Sequence, residues 1–528
     1  MKNIRLQAHR GVASECPENT MAAFRCAAVQ GYDVIELDVD FTKDKKIVVL
    51  HDKLINRTAR TKSGSELKAP VSINGITYRQ ALKYDFGIHL SNKFKGEPIP
   101  LFSDVLIFAK ESGIKLKIDN KIQSFPKEIL KILLSEIKDF EDFVSITASD
   151  VDFAADCIKT APEISVDYDG AVTAENLSKL SAAVPKERLT VWLPLECGST
   201  SWVSLPFADK SSAALVKKYA KLGIWLITNY EDFEKAAALS PDIIETDGTV
   251  KPEINKNQKW DMHTHSENSH DSKCPAPDML KAAKAHGLSG FAVTDHCDIA
   301  YHRKLDLPKL VASSVSDAGN SGVLKGIEIG EAFYHRRISE NILKSFDFDA
   351  VIGSVHTVRF KGYETPYSQI NFSEMGLCTT KKFLEQYFDD VICMIESCDF
   401  DILAHLTCPL RYINGKYGMG IDCKDYEDKI KKILGLIIDR KIALEINTSC
   451  MYEGFGYREL MPEARIIKMY ADMGGYLITT GSDAHNAENS ALYFNELYGR
   501  LKKEFGFRNI YYYKNRFAVQ CALTEETI

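Results

Sequence analysis

The chain has 528 residues, 66 Lys+Arg against 73 Asp+Glu, and a formal net charge of -7. At 45% hydrophobic and 26% charged it has a globular composition, which excludes disordered, collagen-like and coiled-coil classes. Mild acidity argues against the basic face of a nucleic-acid or anionic-membrane binder, so no nucleic-acid partner is expected.

At roughly 100–200 residues per domain, the length implies two to four domains, or two large barrels. The opening MKNIRLQAHRG lacks an apolar signal core. No apolar run approaches the ~18–20 residues of a membrane span, so no membrane insertion is expected. The 13 cysteines are scattered and never spaced C-x-x-C, against a disulfide framework or zinc ribbon and for the reducing cytoplasm. Oligomeric state is not legible. Of 13 histidines only His9, His51 and His89 precede residue 259. The polar stretch 249–259, with Pro252, reads as the join. The expected organisation is a barrel over 1–250, a linker over 251–259 and a second barrel over 260–528.

In chain order, Ile4–Ala8 reads as a strand and Thr20–Gln30 as an Ala-rich helix stopped at Gly31. Strands follow at Val34–Val39, Lys46–His51, Ile114–Ile118, Val144–Thr147, Ile164–Asp167, Thr190–Leu193, Gly223–Thr228 and Ile243–Thr246, with helices such as Ser211–Leu222 and Asp232–Leu239 between the later ones. The alternation predicts an α/β fold with a parallel sheet, and about eight units in ~250 residues fit a (β/α)8 TIM barrel. Active residues of such barrels sit at strand C-terminal ends. Those ends carry His9 and Arg10, then Glu36 and Asp38 on one strand face, then His51, then Asp119 and Lys121. Three carboxylates make a hard-oxygen site for Mg²⁺ or Ca²⁺. Two histidines offer general acid and base, and Arg10 and Lys121 suit a phosphate. The Glu196–Phe207 loop reads as surface, with shaping of a leaving-group pocket as the alternative.

H-R-G, P-E-N-T (Pro17–Thr20), G-Y-D-V-I-E-L-D-V (Gly31–Val39), T-K-D, V-V-L-H-D (Val48–Asp52), N-R-T (Asn56–Thr58), D-F-G (Asp85–Gly87) and I-P-L together resemble the glycerophosphodiester phosphodiesterase family over about residues 1–250. The resemblance implies metal ligands at Glu36 and Asp38, acid/base roles for His9 and His51, and phosphate contacts from Arg10 and Lys121. Glu18 and Asn19 are motif positions. Asp119 stands where the family usually has Glu.

The second half opens at Trp260 with H-x-H, His263 and His265 sharing a strand face. Pro277–His286 reads as a helix. Strand-like runs end near His296, Glu328, His356 and His405, and then at Asp483 and His485; Ile442–Asn447 adds another strand. So many imidazoles with a few carboxylates point to more than one transition metal, Zn²⁺, Mn²⁺ or Fe, bridged by a carboxylate for which Glu328 is best placed. His286, His302 and His335 read as structural. Asn509–Tyr513 and Phe517–Ala522 read as strands of a closing element.

H-T-H-S with S-H-D-S, V-T-D-H-C-D, G-I-E-I-G-E, V-I-G-S-V-H, I-L-A-H-L, L-E-I-N-T-S and G-S-D-A-H resemble the PHP (polymerase and histidinol phosphatase) superfamily, closest to its histidinol-phosphatase type, over about 259–500. The resemblance implies a distorted (β/α)7 barrel and two to three ions. One takes His263, His265, Glu328 and Asp483; a second takes Glu328, His356 and His405; a third takes Asp271, His296 and His485, with His270 the alternative to Asp271. Arg411 resembles a phosphate-binding position, with a surface cation as its alternative.

These readings make the chain a bifunctional hydrolase of small phosphate esters: diester cleavage in the first half, monoester cleavage, of histidinol phosphate or a relative, in the second. The alternatives are a non-catalytic first barrel that senses a ligand or metal, and a second barrel acting on nucleotides.

Overall fold

The computed structural model describes residues 4–203, 206–252, 258–299, 306–362, 364–452 and 458–524. Linker positions 253–257, His302 and residues 204–205 of the Glu196–Phe207 loop lie outside the described residues. The chain divides into two compact units, Met1–Pro252 and Glu253–Ile528. No helix among the described residues is long and apolar enough to cross a membrane.

The first unit is a closed eight-stranded parallel barrel. Its strands are Arg5–His9, Val34–Leu37, Lys115–Ile118, Val144–Ala148, Ser165–Tyr168, Leu189–Pro194, Lys221–Ile227 and Ile243–Thr246. The expected strand Lys46–His51 is not one of them. Ile47–Val49 instead pairs antiparallel with Val39–Phe41, so His51 reaches the barrel mouth from an excursion. Residues of that excursion bury a core of their own, including Val48, Ile55, Ile73, Phe86 and Ile99. The sequence reading fails there because a β-rich apolar run does not say which sheet it joins. Likewise, Glu36 and Asp38 do not share one strand: the barrel strand ends at Leu37 and the hairpin starts at Val39.

Two motifs have structural explanations in this unit. Thr20 caps the helix Met21–Val29, its hydroxyl accepting from Ala23 N at 3.3 Å. In D-F-G, Asp85 Oδ1 accepts from Gly87 N at 2.9 Å and Ile88 N at 3.0 Å. A Cβ on Gly87 would fall 1.9 Å from Phe94 O, so that turn tolerates no side chain.

The second unit has seven parallel strands in the order Trp260–Thr264, Gly290–Val293, Leu324–Gly330, Ala350–Ser354, Ile402–Leu403, Ala443–Asn447 and Ile478–Gly481, with His296–Asp298 pairing beside Leu324–Gly330. A parallel bridge Thr264–Ala484 brings the first and last strands together, giving the expected (β/α)7 form. The hairpin Asn509–Lys514/Phe517–Ala522 packs at that seam, Tyr512 stacking on Trp260 with centroids 3.9 Å apart.

Candidate active sites

In the first barrel, one ligand atom each from Glu36, Asp38 and Asp119 lie within 4.8 Å of one another. Asp119 follows the strand Lys115–Ile118 and caps the next turn, accepting from Lys121 N at 3.2 Å. Its shorter side chain still reaches the cluster. Burial and the neighbouring Asp38 push the Glu36 carboxyl well up. Burial opposes ionisation of Asp38 too, but Arg10 and Lys121 outweigh it and hold its carboxyl below the usual range. Asp119 is raised by burial and by Asp38. Three crowded carboxylates, two of them resisting ionisation, form a donor set that fits a hard divalent cation.

The polar groups around this cluster form a ring. Arg10 Nε lies 3.2 Å from Asp38 Oδ2, and Arg10 Nη1 donates to Glu18 Oε1 at 3.0 Å. Arg57 grips both Glu18 oxygens, at 2.8 and 2.7 Å, and donates from Nε to Asp52 Oδ2 at 2.6 Å. Asp52 Oδ1 faces His51 Nδ1 at 2.5 Å. Lys121 Nζ donates to His51 O at 2.8 Å and to Asp38 Oδ1 at 2.6 Å, closing the circuit. Asn19 adds 2.8 Å to Asp38 Oδ2. Arg57 and Asp52 were not among the sequence-derived site residues; N-R-T and V-V-L-H-D held them as motif letters without a role.

His9 Nε2 lies 3.9 Å from Glu36 Oε2. Burial lowers the His9 imidazole, partly opposed by Glu245. One layer deeper, Lys117 pairs with Glu245 at 3.1 Å, and Gln7 also donates to Glu245. Lys117 stands 4.1 Å over the Trp192 ring. These groups escaped the sequence reading because inward charges on barrel strands look like surface alternation.

In the second unit Glu328, fully buried, is the hub. Its Oε1 lies 3.1 Å from His405 Nε2 and 3.2 Å from His356 Nε2; its Oε2 lies 2.7 Å from His296 Nδ1 and 3.5 Å from His263 Nε2. Asp483 Oδ1 lies 3.0 Å from His265 Nε2 and 3.7 Å from His263 Nε2. Asp271 Oδ2 meets His485 Nε2 at 3.1 Å and His296 Nε2 at 3.4 Å. His270 stands 3.8 Å from the same oxygen. Possible ligand sets include His263–His265–Asp483, His263–Glu328–His405, His265–His296–His485 and His296–Asp298–His356.

The buried atoms His263 Nε2, His296 Nδ1 and Glu328 Oε2 make no hydrogen bond among the described residues. An imidazole nitrogen 2.7 Å from a carboxylate oxygen without a hydrogen bond between them fits donors arranged for cations. Burial opposes protonation of His263, His296 and His356, yet facing carboxylates hold all three well above the usual imidazole value. Burial, with His296 and His485 beside it, takes His265 down to about 3.

Two residues outside the sequence-derived set orient these rings. Glu445 Oε1 lies 2.7 Å from His263 Nδ1, and Asp298 Oδ1 lies 2.9 Å from His356 Nδ1. Both stood inside quoted motifs, L-E-I-N-T-S and V-T-D-H-C-D. Arg411 is 9% exposed, and its Nη1 donates to Ser449 Oγ at 3.2 Å. Ser449 Oγ lies 3.4 Å from Asp483. The surface alternative for Arg411 therefore fails: its guanidinium is buried beside the cluster. His286 faces Ser490 O at 2.6 Å and is structural.

Comparison with known proteins follows the same division. The pattern of the glycerophosphoryl diester phosphodiesterase family matches residues 9–188, and that of the PHP domain matches residues 261–449. The chain is 30% identical over 240 residues to the probable histidinol-phosphatase of Clostridium acetobutylicum, covering 44% of this chain and 89% of that protein. It is 36% identical over 163 residues to a glycerophosphodiester phosphodiesterase of Caldanaerobacter subterraneus subsp. tengcongensis, covering 30% of this chain and 63% of that protein, just under two thirds of its length. A solved structure of histidinol phosphate phosphatase from Lactococcus lactis, complexed with Zn, L-histidinol and phosphate, aligns at 22% identity with a TM-score of 0.42, covering 49% of this chain and 98% of that one.

Proposed function

The chain belongs to the PHP family through its C-terminal unit and carries a glycerophosphoryl diester phosphodiesterase family domain in its N-terminal unit; it is a phosphoric ester hydrolase, and we propose that it works at two independent sites. The N-terminal barrel opens a glycerophosphodiester to an alcohol and glycerol 3-phosphate. The C-terminal barrel releases phosphate from a small monoester such as histidinol phosphate. The observation that carries the proposal is the pair of separate donor clusters, Glu36–Asp38–Asp119 and the nest around Glu328.

At the first site the three carboxylates would hold Mg²⁺ or Ca²⁺, which supplies neutralisation of the phosphoryl charge. Arg10 and Lys121 orient the phosphodiester and share its negative charge. His9, which burial keeps neutral, takes the proton of the attacking oxygen. His51, its Nδ1 directed at Asp52, gives a proton to the departing alkoxide.

At the second site His263, His265, Asp271, His296, Glu328, His356, His405, Asp483 and His485 would hold two or three Zn²⁺, Mn²⁺ or Fe ions, which supply Lewis-acid polarisation. Glu445 and Asp298 fix the tautomers of His263 and His356. Arg411 binds phosphoryl oxygens and aligns the ester. Glycerol 3-phosphate made at the first site is itself a monoester, so the second could consume it.

The test measures choline and phosphate release from glycerophosphocholine, glycerol 3-phosphate and histidinol phosphate under each metal. Choline release lost in Glu36→Ala, and phosphate release lost in His263→Ala, supports two sites. No choline release from the intact chain removes the diesterase reading of the first barrel. A strong preference for histidinol phosphate over glycerol 3-phosphate removes the consecutive reaction.

A further inference from the structure

Three of the chain's four tryptophans lie on two adjacent strands and one following loop of the first barrel. Trp192 lies on Leu189–Pro194, opposite Gly223 of the next strand. A Cβ on Gly223 would fall 2.5 Å from the Trp192 ring, so the glycine gives that indole its space inside the barrel. Trp225, two residues on, faces the same way and packs on the buried group Val34, Trp192 and Ile243. Trp202, from the loop after Leu189–Pro194, then lies over Trp225, ring centroids 5.9 Å apart and planes tilted by 49°.

Trp202 is 75% exposed, yet it is held. Its Nε1 donates to Ser199 O at 3.0 Å. Ser199 Oγ in turn donates to Leu226 O, and Thr200 Oγ1 to Leu195 O. Together the two indoles present an aromatic surface beside the C-terminal end of the strand Lys221–Ile227.

Charge divides the mouth. Arg10, Lys121 and the carboxylate cluster follow the strands Arg5–His9, Val34–Leu37 and Lys115–Ile118. On the remaining rim, Glu196 and Asp247 follow the strands Leu189–Pro194 and Ile243–Thr246, which flank the strand Lys221–Ile227 that carries Trp225. Among the described residues no ion pair engages either carboxylate. One side thus suits a phosphodiester anion, and the aromatic, acidic side suits a cation.

We propose that Trp202 and Trp225 form the leaving-group subsite of the first barrel, taking a quaternary ammonium alcohol so that the preferred diester is zwitterionic. A quaternary ammonium has no N–H to satisfy and binds aromatic faces next to negative charge, which distinguishes it from uncharged glycerol or inositol groups. The proposal rests on the diesterase reading for its chemistry but not for the binding itself.

The experiment compares kcat/KM for glycerophosphocholine and glycerophosphoglycerol in the full-length chain, Trp202→Ala, Trp202→Phe and Glu196→Gln. The intact chain prefers the choline ester. Trp202→Ala lowers that preference about tenfold, mainly through KM, and Trp202→Phe keeps part of it. A preference unchanged in Trp202→Ala, or equal losses on both esters, overturns the subsite. If the intact chain cleaves neither ester, the diesterase reading falls, and a tryptophan-fluorescence titration with choline decides the subsite alone. A saturable change lost in Trp202→Ala supports it; none overturns it.

Discussion

Glu445 Oε1 lies 2.7 Å from Nδ1 of His263, and both side chains are buried. A carboxylate only accepts, so in the neutral, metal-binding form of His263 it keeps the proton on Nδ1 and leaves Nε2, which faces Glu328 and Asp483, as the donor atom. Glu445→Gln is expected to weaken metal binding by about 10- to 100-fold with the fold intact. Metal content after dialysis against a graded chelator, beside circular dichroism, checks this.

Arg57 ties Glu18, which holds Arg10, to Asp52, which holds His51. Arg57→Ala frees both groups and is expected to lower diesterase kcat at least about tenfold, since misorientation by ~1 Å is enough for such losses. Arg57→Lys keeps the charge but not the fork, and recovers only part. Steady-state kinetics with the pH profile of each variant tests the link; a change in KM alone contradicts it.

If His51 protonates the leaving group, His51→Ala should be severe only for poor leaving groups. Loss on glycerophosphocholine of about 100-fold or more, against a small loss on a p-nitrophenyl diester, is the expected contrast. His9→Ala should impair both substrates alike, because the attacking oxygen still needs a base.

Metal loading of the second unit should release protons. In the metal-free protein His263, His296 and His356 titrate well above the usual imidazole value and so carry protons at neutral pH; His265, at about 3, carries none. Ligation requires neutral imidazoles, so affinity rises with pH until those groups have titrated. Calorimetry in buffers of different ionisation enthalpy at pH 7 measures the protons released. Stability from the raised groups is fully present below about pH 6.5 and is lost as pH rises through their folded values. Adding metal should remove that loss.

Arg516, on the closing hairpin, pairs with Asp401 at 2.9 Å and with Asp399 at 3.0 Å. The Asp401 side chain is 0% exposed. Arg516→Ala leaves that charge buried and is expected to destabilise the C-terminal unit by about 3 kcal/mol. Thermal denaturation of the metal-free chain checks it.

The sequence by itself determined both barrels, because strand–helix alternation and the shift in histidine usage are local and periodic. It also named the residues that converge: His9, Arg10, Glu36, Asp38, Asp119 and Lys121 on one side, and the set from His263 to His485 on the other. Strand exits sit at one end of any parallel barrel, so one-dimensional position implied proximity.

Tertiary structure alone decided what depends on pairing between distant segments. It put Ile47–Val49 in an excursion hairpin, not the barrel, because hydrogen-bond partners are chosen by the whole sheet. It gave Arg57, Asp52, Glu445 and Asp298 their contacts, since each meets a residue of another segment or a neighbour turned in one particular direction. It buried Arg411, which the sequence left open as a surface cation. It also set Trp202 on Trp225, 23 positions apart in the chain, a contact that no periodicity encodes.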